Sequence, residues 1–143
     1  MQTFDQLSLH TPRLLLRPLR AEDAQGLFDM FSDAEVMRYW STPPWPTIDE
    51  AHAMIARDLN AMPAGEYLRF GLEHVDDQTL IGTCTLFSIS STCRRAEVGY
   101  GLASAAWGKG YMNEALTALL DYGFSEMKLN RVANLAGERR RSG

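Results

Sequence analysis

Apolar and polar positions divide the chain into stretches of two different periods. Between Arg13 and Leu19 the run RLLLRPL follows Thr11-Pro12 and predicts a first strand, ended at Pro18. The pattern then turns helical, with Leu27, Phe28, Met30 and Phe31 recurring at helix spacing. Ser32-Asp33 supplies a cap for a second short helix through Met37. STPPWP is a rigid, proline-fixed turn. Thr47, with Glu50 three residues on, predicts a capping box for a third helix, IDEAHAMIARDLNAM.

The middle of the chain changes to period two. In EYLRFGLEH, Leu68, Phe70 and Leu72 alternate with Tyr67, Arg69 and Glu73. Asp76-Asp77-Gln78 breaks the run as a turn, and TLIGTCTLFSI is evenly apolar, as a central strand is. RRAEVGYGL alternates again, with Ala96, Val98, Tyr100 and Leu102 on one face and Arg95, Glu97, Gly99 and Gly101 on the other. A last amphipathic helix is predicted from Met112 to about Met127, turning Leu116, Leu119, Leu120 and Phe124 inward. LNRVANL reads as one more short strand, and residues 136–143, AGERRRSG, as a disordered tail. Adjacent strands with helices early and late predict an α+β, mixed α/β three-layer fold around a mainly antiparallel sheet. A length of 143 residues suits a single domain over residues 1–143, with its core at about 11–132. Met30, Met37 and Met54 fall on core positions.

Composition removes several functional classes. With 45% hydrophobic and 22% charged residues the chain reads as soluble and globular. Its net charge of -4 argues against a nucleic-acid partner and fits a basic or amine-bearing one. No apolar run reaches the roughly 20 residues of a membrane span, and MQTFDQLSLHTPR lacks the features of a signal peptide. Cys84 and Cys93 are therefore expected to be reduced thiols in a cytoplasmic protein. His10, His52 and His74 do not join them at metal-ligand spacing, so no metal site is expected.

Candidate chemistry begins at WGKGYMNEAL, where Gly108 and Gly110 flank Lys109 between a strand and a helix. A helix N-terminus offers unpaired N–H groups and the positive end of a dipole, and glycine allows close approach and positive φ. Together these suit phosphate or pyrophosphate. Neither the P-loop pattern nor the dinucleotide fingerprint is satisfied, because Gly110 follows Lys109 and Asn113 stands where a third glycine is needed. On these residues alone, a plain turn and an anion site both stay open.

The wider stretch AEVGYGLASAAWGKGYMNEAL resembles the acetyl-CoA signature of the GNAT superfamily of N-acetyltransferases, in particular its ribosomal-protein (Rim-type) branch. The matching residues are Glu97-Val98-Gly99-Tyr100, Trp107-Gly108-Lys109-Gly110-Tyr111 and Glu114-Ala115. TPRLLLRPLRAEDA and SDAEVMRYWSTPPW also resemble that branch, and the likeness runs from about Thr11 to Val132. It implies a GNAT-like sheet flanked by helices, lacking here the family's last helix and strands, because only eleven residues follow Val132. It implies acetyl-CoA as cosubstrate, with its pyrophosphate held by backbone amides around Trp107, Gly108, Lys109, Gly110, Tyr111 and Met112. The pantetheine arm would pair with the strand at Val98, Tyr100, Gly101 and Leu102. Ala105 stands where the broader family often has Gln or Arg, which removes one side-chain contact.

For catalysis the resemblance points to Glu97 as the base that takes a proton from the acceptor ammonium. A strand N–H near Val98 to Tyr100 would hold the oxyanion. No general acid can be carried over. Tyr39, Trp40 and Trp45 are candidates for the acceptor site. The acceptor implied is a primary amine, on a protein N-terminus or a small molecule. The other reading kept open is a non-catalytic CoA-binding module or an inactive, C-terminally truncated remnant. An open sheet edge would also offer a site for homodimerisation.

Overall fold

The computed structural model describes residues 7–38, 43–90, 92–127, 129, 131–134 and 137–140. Seven strands form one sheet in sequential order: β1 (Leu9–His10), β2 (Leu14–Arg17), β3 (Leu68–His74), β4 (Thr79–Ser90), β5 (Arg95–Leu102), β6 (Arg131–Asn134) and β7 (Gly137–Arg140). Neighbours run antiparallel except β5 and β6, which are parallel. A parallel pair needs a crossover, and here it is α4 (Tyr111–Ser125).

Alternation decides what faces what. Leu14, Leu16, Leu68, Phe70, Leu72, Cys84, Leu86 and Val98 point to one face and meet Ala115, Leu116, Leu119 and Leu120 of α4. The other face is covered by α1 (Ala24–Phe31), α2 (Ala34–Met37) and α3 (Asp49–Ala61), whose Leu27, Phe31, Val36, Ala51 and Ile55 form a second core with Met30, Met37 and Met54. The three-layer arrangement, the antiparallel sheet and the methionine positions agree with the sequence pattern. No described helix is long and apolar enough to cross a membrane.

Asp33 caps α2 by accepting from the N–H of Glu35, as its position predicts. At α3 the expected capping box does not form. The N-cap is Ile48, with no side-chain bond. The N–H groups of Glu50 and Ala51 instead reach the carbonyls of Thr47 and Ile48 at 3.3 and 3.0 Å, a tight i→i+3 turn that leaves the Thr47 hydroxyl no role.

The expected disordered tail is corrected at Gly137–Arg140. These residues form β7, paired antiparallel with β6 from Arg131↔Arg140 to Asn134↔Gly137. No hydrophobic alternation marks GERR as a strand. An open edge on β6 would leave backbone groups unpaired, and pairing there needs no particular side chain. The sheet thus has two strands more than expected, β1 and β7, and the edge of β6 is covered by β7.

Polar groups close the layers. Arg17, on the face beneath α1, forks onto Asp23 at 2.9 and 3.0 Å and reaches Glu73 with Nε at 2.8 Å. Asp23 also accepts from the backbone of Arg20, fixing the entry to α1.

Candidate functional site

The site begins where a ladder stops. β5 runs to Leu102, but its pairing with β6 covers only Arg95, Ala96 and Glu97, opposite Arg131, Val132 and Ala133. From Val98 to Leu102 that edge carries no strand among the described residues. The direction of each free group follows from the ladder on the other side. Leu102 lies opposite Gly82, and the N–H of Ala103 donates to the carbonyl of Ile81 across β4. In a trans peptide the Leu102 carbonyl must then point the other way, toward the open edge. By the alternation of antiparallel pairing, the N–H and C=O of Val98, Tyr100 and Leu102 all face that edge.

Two of these six groups are already taken: the Val98 N–H closes the parallel ladder on the Ala133 carbonyl of β6, and the Leu102 carbonyl has a side-chain partner. The indole N–H of Trp107 donates to the Leu102 carbonyl at 2.8 Å. Gly101, opposite Thr83, is buried within the ladder instead. β4 and β5 approach closely there: a Cβ on Gly82 would lie 2.6 Å from the Gly101 carbonyl. Tyr100 shares the face of Ala96 and Val98, but its side chain is exposed.

Beyond β5, Ser104–Ala106 makes a single tight helical turn, held to α2 by the Ser104 hydroxyl donating to Asp33 at 3.0 Å. The chain then bends at two glycines in the left-handed region, Gly108 at φ +77 and Gly110 at φ +80. Gly110 is the N-cap of α4, with no side chain to satisfy the first turn. The first helical donor is Glu114, bonded to the Gly110 carbonyl at 3.1 Å. The N–H groups of Tyr111, Met112 and Asn113 are therefore left at the helix start, next to the open strand edge. A Cβ at Gly108 would meet nothing within 4 Å, so its demand is conformational and the space above it is open.

Lys109 is exposed, and its carbonyl accepts from Arg13 Nη1 at 2.8 Å. The ring of Tyr111 lies under the Arg13 guanidinium, 4.5 Å from its centre, and meets the His74 ring near-perpendicularly with centres 5.3 Å apart. Its side chain is thus an anchor, while its backbone stands at the helix start. Met112 is half-buried against the α4 core.

Glu97 is the last β5 residue of the β6 ladder, with Phe87 across β4 and Ala133 across β6. It is exposed, and among the described residues it has no ion-pair partner. A carboxylate with no bound cation is available to accept a proton. Trp45 packs its ring on Phe31 at 4.9 Å between ring centres and is partly buried against the core under α1–α3, while its backbone N–H donates to the Phe31 carbonyl at 2.9 Å. Tyr39 and Trp40 lie outside the described residues.

Sequence pattern did not mark Arg13, Thr11 or Glu114 as site residues. The Glu114 carboxylate accepts from Arg13 Nε at 2.8 Å, from the Arg13 backbone at 2.9 Å and from the Thr11 hydroxyl. Partial burial alone would raise its pKa. Those hydrogen bonds and the Arg13 charge outweigh it and hold the carboxyl below the ordinary glutamate range. The only local signal was an acidic residue in the first turn of α4.

Comparison with known proteins agrees with this geometry. Residues 13–137 match the acetyltransferase (GNAT) domain model. An uncharacterised N-acetyltransferase of Bacillus licheniformis, p20, is 38% identical over 125 residues, covering 87% of this chain and 70% of its own. A candidate ribosomal-protein-serine acetyltransferase from Vibrio cholerae superposes with a TM-score of 0.82 at 26% identity, over 92% of this chain and 75% of that one. The spermidine N-acetyltransferase of Vibrio cholerae, solved with CoA and spermine, gives 0.74 at 25% identity, over 87% and 71%. An open strand edge running into a glycine-bent helix start, together with these matches, places the chain in the GNAT family of acetyltransferases, enzymes that take their acyl group from acetyl-CoA.

Proposed function

We propose that the protein transfers acetyl from acetyl-CoA to a primary amine by direct attack. The observation that carries the reading is the β5 edge, open from Val98 to Leu102 and continuous with the helix start at Gly110. The pantetheine arm, which carries amides, pairs with the C=O of Val98 and the N–H and C=O of Tyr100 as a short added strand. The pyrophosphate sits over Gly108 against the N–H groups that begin α4.

In this pose Glu97 receives the ammonium proton of the acceptor. The freed amine nitrogen bonds to the thioester carbon, whose oxygen becomes an oxyanion held by an outward-facing N–H of β5. The C–N bond forms, the C–S bond breaks, and the second proton shed by the nitrogen passes through water to the departing thiolate, leaving a neutral amide and the CoA thiol. The acceptor is a protein N-terminus or a small amine. Relatives named for ribosomal-protein and spermidine acetylation support both, since each presents a primary amine.

Calorimetric titration with acetyl-CoA, followed by thiol release with a panel of amines, tests the reading. One equivalent bound and turnover with at least one amine support it. Glu97→Gln is expected to lower turnover by on the order of 10²-fold, within the usual range for a lost general base, with affinity for acetyl-CoA unchanged. Equal loss of affinity would make Glu97 a structural residue.

A further inference from the structure

At Lys109 the loop that starts α4 is held from a distant strand. Its anchor is Arg13, at the entry to β2, 96 residues before Lys109. We propose that Arg13 is a positioning residue for the cofactor loop, setting the Lys109–Gly110 peptide before the ligand arrives. This rests on the reading above, that the loop holds the pyrophosphate of acetyl-CoA.

Arg13 Nη1 fixes the Lys109 carbonyl at 2.8 Å. Because the peptide is trans, the Gly110 N–H is turned the opposite way, where it has no backbone acceptor among the described residues. That N–H thereby joins those of Tyr111, Met112 and Asn113 as a donor for an anion. Without the clamp, a segment with two glycines samples many orientations of this peptide, and ordering it must come out of the binding free energy.

Arg13 is itself held on two further sides. Nε donates to Glu114 Oε1 at 2.8 Å, and its own backbone N–H donates to Glu114 Oε2 at 2.9 Å. Its guanidinium also lies over the Tyr111 ring. Glu114 neutralises the charge, so the contribution of Arg13 is orientation and not attraction for phosphate. A fork that reaches a carboxylate and a carbonyl at once is a guanidinium property, and lysine cannot reproduce it.

Arg13→Lys and Arg13→Met separate these roles. If the competent loop falls to about one-tenth of the population, the Kd for acetyl-CoA rises by about tenfold in both. Amide exchange over residues 107–114 accelerates, with α1 and α3 unchanged. The KM for the amine and the kcat stay within about twofold of the parent, as expected when only the binding-competent fraction changes. If Arg13→Met does not fold, Arg13→Lys carries the test. Unchanged Kd and unchanged exchange in a folded Arg13→Lys protein overturn the proposal, as does retention of affinity by lysine alone, which would mark a charge effect. Failure of the parent to bind acetyl-CoA defeats the functional reading instead, and exchange in the free protein still decides the clamp.

Discussion

The indole N–H of Trp107 donates to the carbonyl of Leu102 at 2.8 Å, so the last acceptor on the open edge of β5 is already paired. The edge then offers a ligand the C=O of Val98, the N–H and C=O of Tyr100 and the N–H of Leu102. Closing the final carbonyl limits how far an added strand can slide. Trp107→Phe keeps the ring and removes the donor. Its partner carbonyl lies at an accessible edge, so stability should fall by less than about 1 kcal/mol. Acetyl-CoA affinity should fall by about threefold, as the arm gains a competing register. Thermal melting and calorimetry check both; an unchanged Kd would show that the indole does not set the register.

Gly108 and Gly110 separate conformational need from steric need. An L-residue in the left-handed region costs about 1–2 kcal/mol, and Asn tolerates it better than others. Gly108→Asn should therefore remain nearly as stable as the parent, because nothing lies within 4 Å of its Cβ. It should still lose acetyl-CoA binding, because that empty space is where the phosphates are placed. Binding at parental strength would move the pyrophosphate elsewhere. At Gly110 an added Cβ sits 3.4 Å from Arg13 Nη2, so Gly110→Ala disturbs the clamp as well as the backbone.

The parts of this fold that were legible are those governed by local period. Alternation at Leu68, Phe70 and Leu72 identified β3, and helical spacing at Leu116, Leu119 and Leu120 identified the inner face of α4. The glycine bends were legible too, since Gly-Lys-Gly before a helix has few other uses. Alternation assigned Tyr100 to the row of Val98, but a face is not a cover, and the Tyr100 ring is exposed. β7 was illegible because its pairing rests on a backbone edge supplied by β6. The Arg13–Glu114 contact spans 101 residues, and no local pattern encodes it.

Acid should loosen the cofactor loop through Glu114. Its folded-state carboxyl is held below the ordinary glutamate value, so it favours folding above that value, and this contribution is lost as pH falls through the lower folded one. The window lies below about pH 4.3, the ordinary glutamate pKa. Once protonated, Glu114 no longer holds Arg13 by charge, and the Lys109 clamp weakens with it. Melting temperature followed from pH 6 down to 3 should fall less steeply for Glu114→Gln than for the parent. Parallel slopes would assign the acid limb to other carboxylates.

The two thiols should report on β4 and on the hairpin after it. Cys84 is fully buried on β4, between Phe70 of β3 and Tyr100 of β5, and burial pushes its thiol up to about 12. Cys93 is exposed in the turn between β4 and β5, with its N–H on the Ser90 hydroxyl. Alkylation requires thiolate, and at pH 8 only about one in 10⁴ of the Cys84 thiols is ionised if its pKa is near 12. The native protein should therefore take one iodoacetamide adduct, on Cys93, and a second only on unfolding, as read by intact-mass spectrometry. A second adduct at native conditions would mean that β4 opens locally. Because the open edge of β5 is braced from behind by β4, bound acetyl-CoA should then slow that second reaction, and failure to slow it would uncouple the cofactor edge from the strand that supports it.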